Sequence, residues 1–145
     1  MSSSIAPPLA PTLFRPVRYI PLRRDGPLVL VADDHDDSRD IARMVLESAG
    51  YRVTEATTGL EALAIASLMR PAIVLLDVIM PELDGWATAR RLRADPTTSG
   101  ATIIALTALT GALDREESLA AGCDELLTKP IHPRALLAVL DRYTA

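Results

Sequence analysis

The sequence has few cysteines, few aromatic residues and no long apolar run, and each shortage excludes a class of protein. The lone cysteine, Cys123, rules out an internal disulfide, fits a reducing compartment and is expected as a small buried apolar side chain. Aromatic residues make up 3% of the chain against 49% hydrophobic residues, which predicts an aliphatic core. Because no apolar run reaches membrane-spanning length and none resembles a signal peptide, we expect a cytoplasmic protein.

A length of 145 residues predicts one domain, preceded here by a segment of different composition. Residues 1–27 contain 6 of the 11 prolines and four arginines against one aspartate, which predicts an extended, basic N-terminal arm. The arm is either a basic tether for a partner or an acidic surface, or a dispensable leader or the product of a misassigned start codon. Its charge of +3 within a net charge of −4 leaves −7 on residues 28–145, which disfavours direct DNA binding.

From residue 28 onward, short apolar runs alternate with stretches of helical periodicity. The pattern predicts buried strands at 28–32, 72–76 and 101–106, weaker strands at 51–54 and 124–128, and helices near 37–49, 59–70, 85–94, 111–121 and 133–143. Helix starts are indicated by Thr58 with Glu61 as a capping box, by Asp84 as an N-cap and by Pro133. Five βα units predict a doubly wound, flavodoxin-like α/β fold with a five-stranded parallel sheet in the order 2-1-3-4-5.

Polar residues occupy the positions where the predicted strands end. They are Asp33 and Asp34, Asp77, Thr107, and Lys129 with Pro130. Because the carboxyl ends of parallel strands share one edge of the sheet, where ligands bind, we expect these side chains to lie together. Lys129 is also the only lysine, since the other 14 of the 15 basic residues are arginines. A compact ammonium at this edge suits contact with a phosphoryl oxygen.

Three partly buried carboxylates cannot all stay ionised cheaply without a cation, so we expect either a bound metal or a raised pKa. Oxygen ligands favour Mg²⁺, so we assign Asp33, Asp34 and Asp77 to the metal and treat His35 as an exposed loop residue. The neighbouring acids Asp36, Asp37 and Asp40 are expected near the first turn of a helix, where negative charge is favourable.

The order and spacing of these residues resemble the receiver domain of two-component response regulators. The resemblance covers residues 28–143 and is carried by Asp33-Asp34, Asp77-Val78-Ile79-Met80-Pro81 with Asp84-Gly85, Thr107-Ala108 and Lys129-Pro130. It implies a bacterial signalling protein that catalyses its own phosphorylation and slow dephosphorylation, without being an enzyme for an external substrate.

The resemblance also implies a role for each site residue. Asp77 is the implied phosphoacceptor, attacking a phosphohistidine of a histidine kinase or phosphotransfer protein. Mg²⁺ is implied to bind Asp34, Asp77 and the backbone carbonyl of Ile79 directly and Asp33 through water. Thr107 and Lys129 are implied to contact phosphoryl oxygens and to sense phosphorylation.

Three positions depart from the common pattern of the family. Leu126 stands where many receivers carry a switching Tyr or Phe, so signalling through that ring is in doubt. Ile79 and Leu109 stand two residues after the phosphoacceptor and the switch threonine. Neither can orient a water molecule, which predicts a long-lived phosphorylated state.

Three other functions are possible. A flavodoxin-like flavin binder would need a phosphate loop rich in hydroxyl and amide groups after the first strand, where this chain has carboxylates. A haloacid-dehalogenase-like, Mg²⁺-dependent phosphatase would use Asp34-His35-Asp36. This alternative leaves Asp77 without a role, and it needs an acidic pair after the lysine to hold Mg²⁺, where this chain has only Asp141. A docking module that is never phosphorylated would not need all five strand-end residues. We therefore expect a stand-alone receiver that acts on a downstream protein or passes the phosphoryl group on, as a monomer or weak phosphorylation-dependent dimer, without DNA or membrane binding.

Overall fold

Short apolar runs form the strands and amphipathic stretches form the helices of a computed structural model, which describes residues 26–108 and 112–144. In chain order the elements are β1 (Leu28–Ala32), α1 (Asp36–Ser48), β2 (Arg52–Ala56), α2 (Gly59–Met69), β3 (Ile73–Asp77), α3 (Gly85–Ala94), β4 (Thr102–Thr107), α4 (Ala112–Ala121), β5 (Glu125–Thr128) and α5 (Pro133–Thr144). The predicted arm lies outside the described residues except for Gly26 and Pro27.

The five strands form one parallel sheet in the order β2-β1-β3-β4-β5, which confirms the predicted doubly wound fold. β1 lies between β2 and β3, with Val29 opposite both Val53 and Ile73. The central strands β1 and β3 are buried throughout, whereas the edge strands β2 and β5 are partly exposed. Central strands are covered by helices on both faces, so their sequences are continuous apolar runs.

Alternate residues of each strand feed two aliphatic cores, one on each face of the sheet. Val31 and Leu75 pack with residues of α1 and α5. Leu30 and Leu76 pack with residues of α2 and α3, and Cys123 is buried in that second core, as predicted. Burying each such leucine contributes about 1.5–3 kcal/mol, so the two cores hold the strand ends in place.

The predicted helix starts are found, with one change of partner. Thr58 caps α2 by accepting from the backbone N–H of Glu61 at 3.0 Å, but the Glu61 carboxylate accepts from the N–H of Thr57 rather than that of Thr58. Asp84 caps α3 by accepting from the N–H of Ala87 at 2.8 Å. α5 begins at Pro133, where the missing N–H costs nothing.

Gly85 lets α3 begin directly against the end of β3. Its N–H donates to the carbonyl of Val78 at 2.8 Å, and a Cβ at this position would collide with the carbonyl oxygen of Asp77. The backbone of α3 is therefore in contact with the strand end that carries Asp77.

None of the helices in the described part of the chain is long and apolar enough to cross a membrane.

Candidate functional site

Three aspartates meet where β1 and β3 end at the carboxyl edge of the sheet. Asp33 is fully buried, Asp77 is 4% exposed, and Asp34 faces solvent. One carboxylate oxygen from each, together with a ring nitrogen of His35, lies within 4.8 Å of the others. The prediction that the two strand ends bring these carboxylates together is confirmed by this geometry.

Lys129 reaches the aspartates from the edge strand β5. Its Nζ lies 2.8 Å from Oδ2 of Asp33 and 3.2 Å from Oδ2 of Asp77, to which it donates a hydrogen bond. The backbone N–H of Lys129 donates to the carbonyl of Thr107 at 2.8 Å, and the Lys129–Pro130 peptide bond is cis. The only lysine of the chain is thus held against the two most buried carboxylates.

The electrostatics of the cluster are unbalanced, because three carboxylates face one ammonium. Burial first and the charge of Asp33 second raise the pKa of Asp77 to about 6, against the opposing effect of Lys129. Burial opposes the charge on Lys129, but Asp33 and Asp77 outweigh it and raise the pKa of the ammonium. Repulsion between Asp33 and Asp77 is therefore only partly offset by Lys129.

The buried Oδ2 atom of Asp33 indicates what the cluster can hold. It faces the ammonium of Lys129 at 2.8 Å and has no other hydrogen-bond partner among the described residues. A buried carboxylate oxygen that keeps acceptor capacity, beside two further carboxylates, is a donor set that suits a hard divalent cation. The residues present thus fit Mg²⁺.

His35 lies closer to the carboxylates than the sequence suggested. Its side chain is 65% exposed, as expected, but Nδ1 lies 3.2 Å from Oδ1 of Asp33, 3.2 Å from Oδ1 of Asp34 and 3.8 Å from Oδ2 of Asp77. The backbone N–H of His35 also donates to Oδ1 of Asp33 at 2.9 Å. Adjacency to Asp34 was the only signal in the sequence, and adjacency does not say where a ring points.

Arg39 is a second residue that sequence reasoning missed. Its Nη1 donates to the backbone carbonyl of Asp33 at 2.9 Å, its Nε to Glu55 at 3.0 Å and its Nη2 to Asp36 at 2.6 Å. The guanidinium therefore ties the loop after β1 to α1 and β2. Arg43 binds the other oxygen of Glu55 at 2.8 Å without contacting the loop.

The acids that follow His35 lie outside the cluster. Asp36 and Asp37 occupy the first turn of α1, as predicted, while Asp40 pairs with Arg43 further along the helix. The side chain of Asp36 is 83% exposed and engaged by Arg39. The Asp-x-Asp pair of the phosphatase alternative is consequently split between the cluster and the helix surface.

The remaining site residues lie near the same edge. Thr107 ends β4 and is buried. Ile79 is exposed, and its N–H donates to Oδ1 of Asp77 at 3.2 Å. Leu126 is half-buried and packs against the core on the α2 side of the sheet. Leu109, singled out with Ile79, lies outside the described residues.

Known proteins resemble this chain in sequence and in fold. A family model described as the response regulator receiver domain matches residues 29–141. The chain is 40% identical over 110 residues to the response regulator PleD of Caulobacter vibrioides; the match covers 76% of this chain but only 24% of that protein.

Two solved structures share the fold over nearly their whole length. The chemotaxis protein CheY4 of Vibrio cholerae is 33% identical with a TM-score of 0.78, covering 81% of this chain and 98% of CheY4. The receiver domain of the sensor histidine kinase PA1611 of Pseudomonas aeruginosa is 34% identical with a TM-score of 0.77, covering 82% and 98% of the two chains. That structure has a magnesium ion coordinated in its active site cleft. These similarities do not favour the phosphatase alternative.

Proposed function

The chain belongs to the response regulator receiver family of two-component systems, and from that premise we propose that Asp77 is its phosphoacceptor. Asp77 ends the central strand β3 with Lys129 and the N–H of Ile79 each 3.2 Å from its carboxylate, and it is 4% exposed whereas Asp33 is fully buried. This placement of a carboxylate that a phosphoryl group can still reach, beside an ammonium, is the observation that carries the proposal. The same proposal assigns residues 28–145 to the receiver and residues 1–27 to an arm.

The reaction is a phosphoryl transfer from a phosphohistidine of a histidine kinase or phosphotransfer protein. An oxygen of Asp77 attacks the phosphorus in line, the phosphorus–nitrogen bond breaks, and its electron pair stays on the departing imidazole, which takes up a proton. The product is an acyl phosphate on Asp77. Because the pKa of Asp77 is about 6, the carboxylate is mostly ionised and nucleophilic at neutral pH.

Asp34 and Asp77 would hold Mg²⁺ directly, with the carbonyl of Ile79, while Asp33 would act through a water molecule. The surplus negative charge of the cluster and the free acceptor capacity of Asp33 support this assignment. The ion supplies positive charge against the carboxylates and the incoming phosphoryl oxygens. The fold contributes positioning, because both cores fix the strand ends that carry these residues.

Lys129 and Thr107 are the proposed sensors of phosphorylation. Lys129 already pairs with Asp77, so converting that carboxylate into an acyl phosphate presents the ammonium with phosphoryl oxygens instead. Thr107 adjoins Lys129 through a backbone hydrogen bond, and its hydroxyl would bind another phosphoryl oxygen. A change at both residues would pass the signal to a downstream protein or precede onward phosphotransfer.

Intact mass spectrometry after incubation with Mg²⁺ and acetyl phosphate tests the proposal. We expect one added phosphoryl group on the wild type and on Asp37→Asn, a control that removes an exposed carboxylate of α1. We expect none on Asp77→Asn or in the presence of a chelator. A phosphorylated Asp77→Asn protein would contradict the assignment.

A further inference from the structure

We propose that His35 supplies a nitrogen ligand to the metal pocket, so that the pocket binds imidazole-accepting divalent cations such as Ni²⁺ and Zn²⁺ as well as Mg²⁺. The inference rests on the proposed metal pocket of Asp33, Asp34 and Asp77, and adds a ligand of different chemistry to it. Its consequence is a cation preference set by one residue of the loop after β1.

The position of the imidazole has the spacing of a coordination sphere. In an octahedral site, ligand atoms about 2.1 Å from the metal and at right angles to one another lie about 3 Å apart. Nδ1 of His35 lies 3.2 Å from an oxygen of Asp33, 3.2 Å from one of Asp34 and 3.8 Å from one of Asp77. A cation held by the oxygens of Asp34 and Asp77 would therefore have Nδ1 as a neighbour.

Two features hold the ring at this place. His35 precedes α1 with extended backbone angles of −93° and 120°, and its backbone N–H donates to the same Asp33 oxygen that Nδ1 faces. The Asp33 side chain is itself fully buried and fixed by Lys129 on its other oxygen. The other oxygen, Oδ2, faces Lys129 rather than the ring and has no further partner among the described residues, so the Asp33 carboxylate still has acceptor capacity beside the proposed pocket.

Ligand chemistry makes the role of His35 specific for the metal. Mg²⁺ takes oxygen ligands and gains little from an imidazole, whereas Ni²⁺ and Zn²⁺ bind imidazole well. Ligation requires the neutral ring with its proton on Nε2, and without a metal the ring can instead donate from Nδ1 to the carboxylates. Loss of His35 should therefore weaken Ni²⁺ binding and leave Mg²⁺ binding nearly unchanged.

Isothermal titration of the full chain, free of any histidine tag, with Mg²⁺ and with Ni²⁺ tests this. The chain has two histidines, so His132→Asn, which removes the ring at the start of α5, is a matched control for His35→Asn. We expect His35→Asn to lose about tenfold or more in Ni²⁺ affinity, a loss of the size caused even by removing an outer-shell partner. Its Mg²⁺ affinity should stay within about twofold of the wild type, and His132→Asn should match the wild type for both ions.

Other results overturn the inference in distinguishable ways. Unchanged Ni²⁺ affinity in His35→Asn, or a loss shared by His132→Asn, would refute a nitrogen ligand at His35. Stronger Mg²⁺ binding in His35→Asn would identify the ring as a donor that competes with the metal, which also overturns it. If the wild type and Asp34→Ala bind Mg²⁺ equally weakly, the metal pocket of the proposed function fails first.

Discussion

Two charged clusters lie at opposite edges of the sheet, and they differ in how completely their charges and hydrogen-bonding groups are paired. At the amino ends of β4 and β5, Arg93 donates to the carbonyls of Gly122 and Ser99 at 2.7 Å, to that of Ala101, and to Asp124 at 2.7 Å. Asp124 in turn accepts from the N–H of Ile103 at 2.8 Å. One cation meets one anion, and backbone groups fill the remaining positions.

At the carboxyl ends of the strands, the cluster of Asp33, Asp34, Asp77 and Lys129 is unbalanced. It has surplus negative charge, a buried oxygen of Asp33 whose only partner among the described residues is Lys129, and a raised pKa at Asp77. The cluster of Arg93 and Asp124, which we call the satisfied cluster because its charges are matched, joins α3 to two strands and stabilises the fold. The unsatisfied cluster is held in place by the two cores and leaves capacity for a ligand, as functional sites commonly do.

The largest expected effect tests the satisfied cluster. Arg93→Ala removes four hydrogen bonds and leaves Asp124 unpaired, so we expect a loss of about 2–4 kcal/mol in the free energy of unfolding by urea denaturation. The control is Arg142→Ala, which removes an exposed 3.2 Å pair with Glu125 and should cost less than about 1 kcal/mol. Equal losses in the two variants would remove the contrast between the clusters.

A substitution at Asp77 is expected to change the free energy of unfolding in the opposite direction, as a gain in stability. Asp77→Asn keeps an acceptor for Ile79 and removes a charge that burial and Asp33 disfavour, so the metal-free variant should be more stable at pH 7. A pKa raised from 3.8 to about 6 sets the gain at no more than about 3 kcal/mol. Destabilisation by this substitution would show that the cluster is already balanced.

This gain should also depend on pH. The folded state holds a proton on Asp77 between pH 3.8 and about pH 6, where the unfolded state has released it. The deficit of the wild type relative to Asp77→Asn is therefore present above pH 6 and shrinks as the pH falls through that value toward 3.8. Denaturation curves of both proteins across this range measure the difference, since carboxylates remote from the cluster contribute equally to both.

A bound divalent cation should offset part of the surplus negative charge of the cluster of Asp33, Asp34, Asp77 and Lys129. At a Mg²⁺ concentration about 100 times the dissociation constant, binding to the folded state adds about 2.7 kcal/mol to the free energy of unfolding. We expect the increment in the wild type and in Arg93→Ala, and its loss in Asp34→Ala. The same increment in all three proteins would place Mg²⁺ elsewhere on the chain.

The smallest expected effect concerns the support of the unbalanced cluster. Arg39→Gln removes the hydrogen bond to the backbone carbonyl of Asp33. We expect Mg²⁺ binding to be about tenfold weaker by calorimetry, while the site of phosphorylation stays the same. Arg43→Gln is the matched control, because it removes the neighbouring bond to Glu55 and leaves the loop untouched. Equal affinities in the two variants would reduce Arg39 to a purely structural residue.

The sequence predicted those parts of the molecule that depend on local pattern. The strand ends and helix starts such as Asp84 follow from apolar runs and capping residues, whereas the sheet order follows from the flavodoxin-like fold class that five βα units indicate. Boundaries shifted by one or two residues, so that Asp77 and Thr107 close their strands instead of following them. The single lysine was correctly expected beside the carboxylates because its strand shares their edge.

The rest depends on side-chain directions and on pairings far apart in sequence. Arg39 and Glu55 are 16 positions apart, and Arg93 and Asp124 are 31 apart, so no local pattern joins them. His35 adjoins the acid pair, but only its rotamer and the bond from its N–H to Asp33 turn the ring toward the carboxylates. Such contacts are set by packing and could not be inferred from composition or spacing.

The close approach of α3 to the end of β3 also has a spectroscopic consequence. Gly85 touches the backbone of Asp77, and the next residue, Trp86, is the only tryptophan of the chain and packs against the core. We expect an indole one residue along the chain from that contact to respond to the electric field of the cluster. Its fluorescence emission would then follow changes of charge at Asp77 without any label.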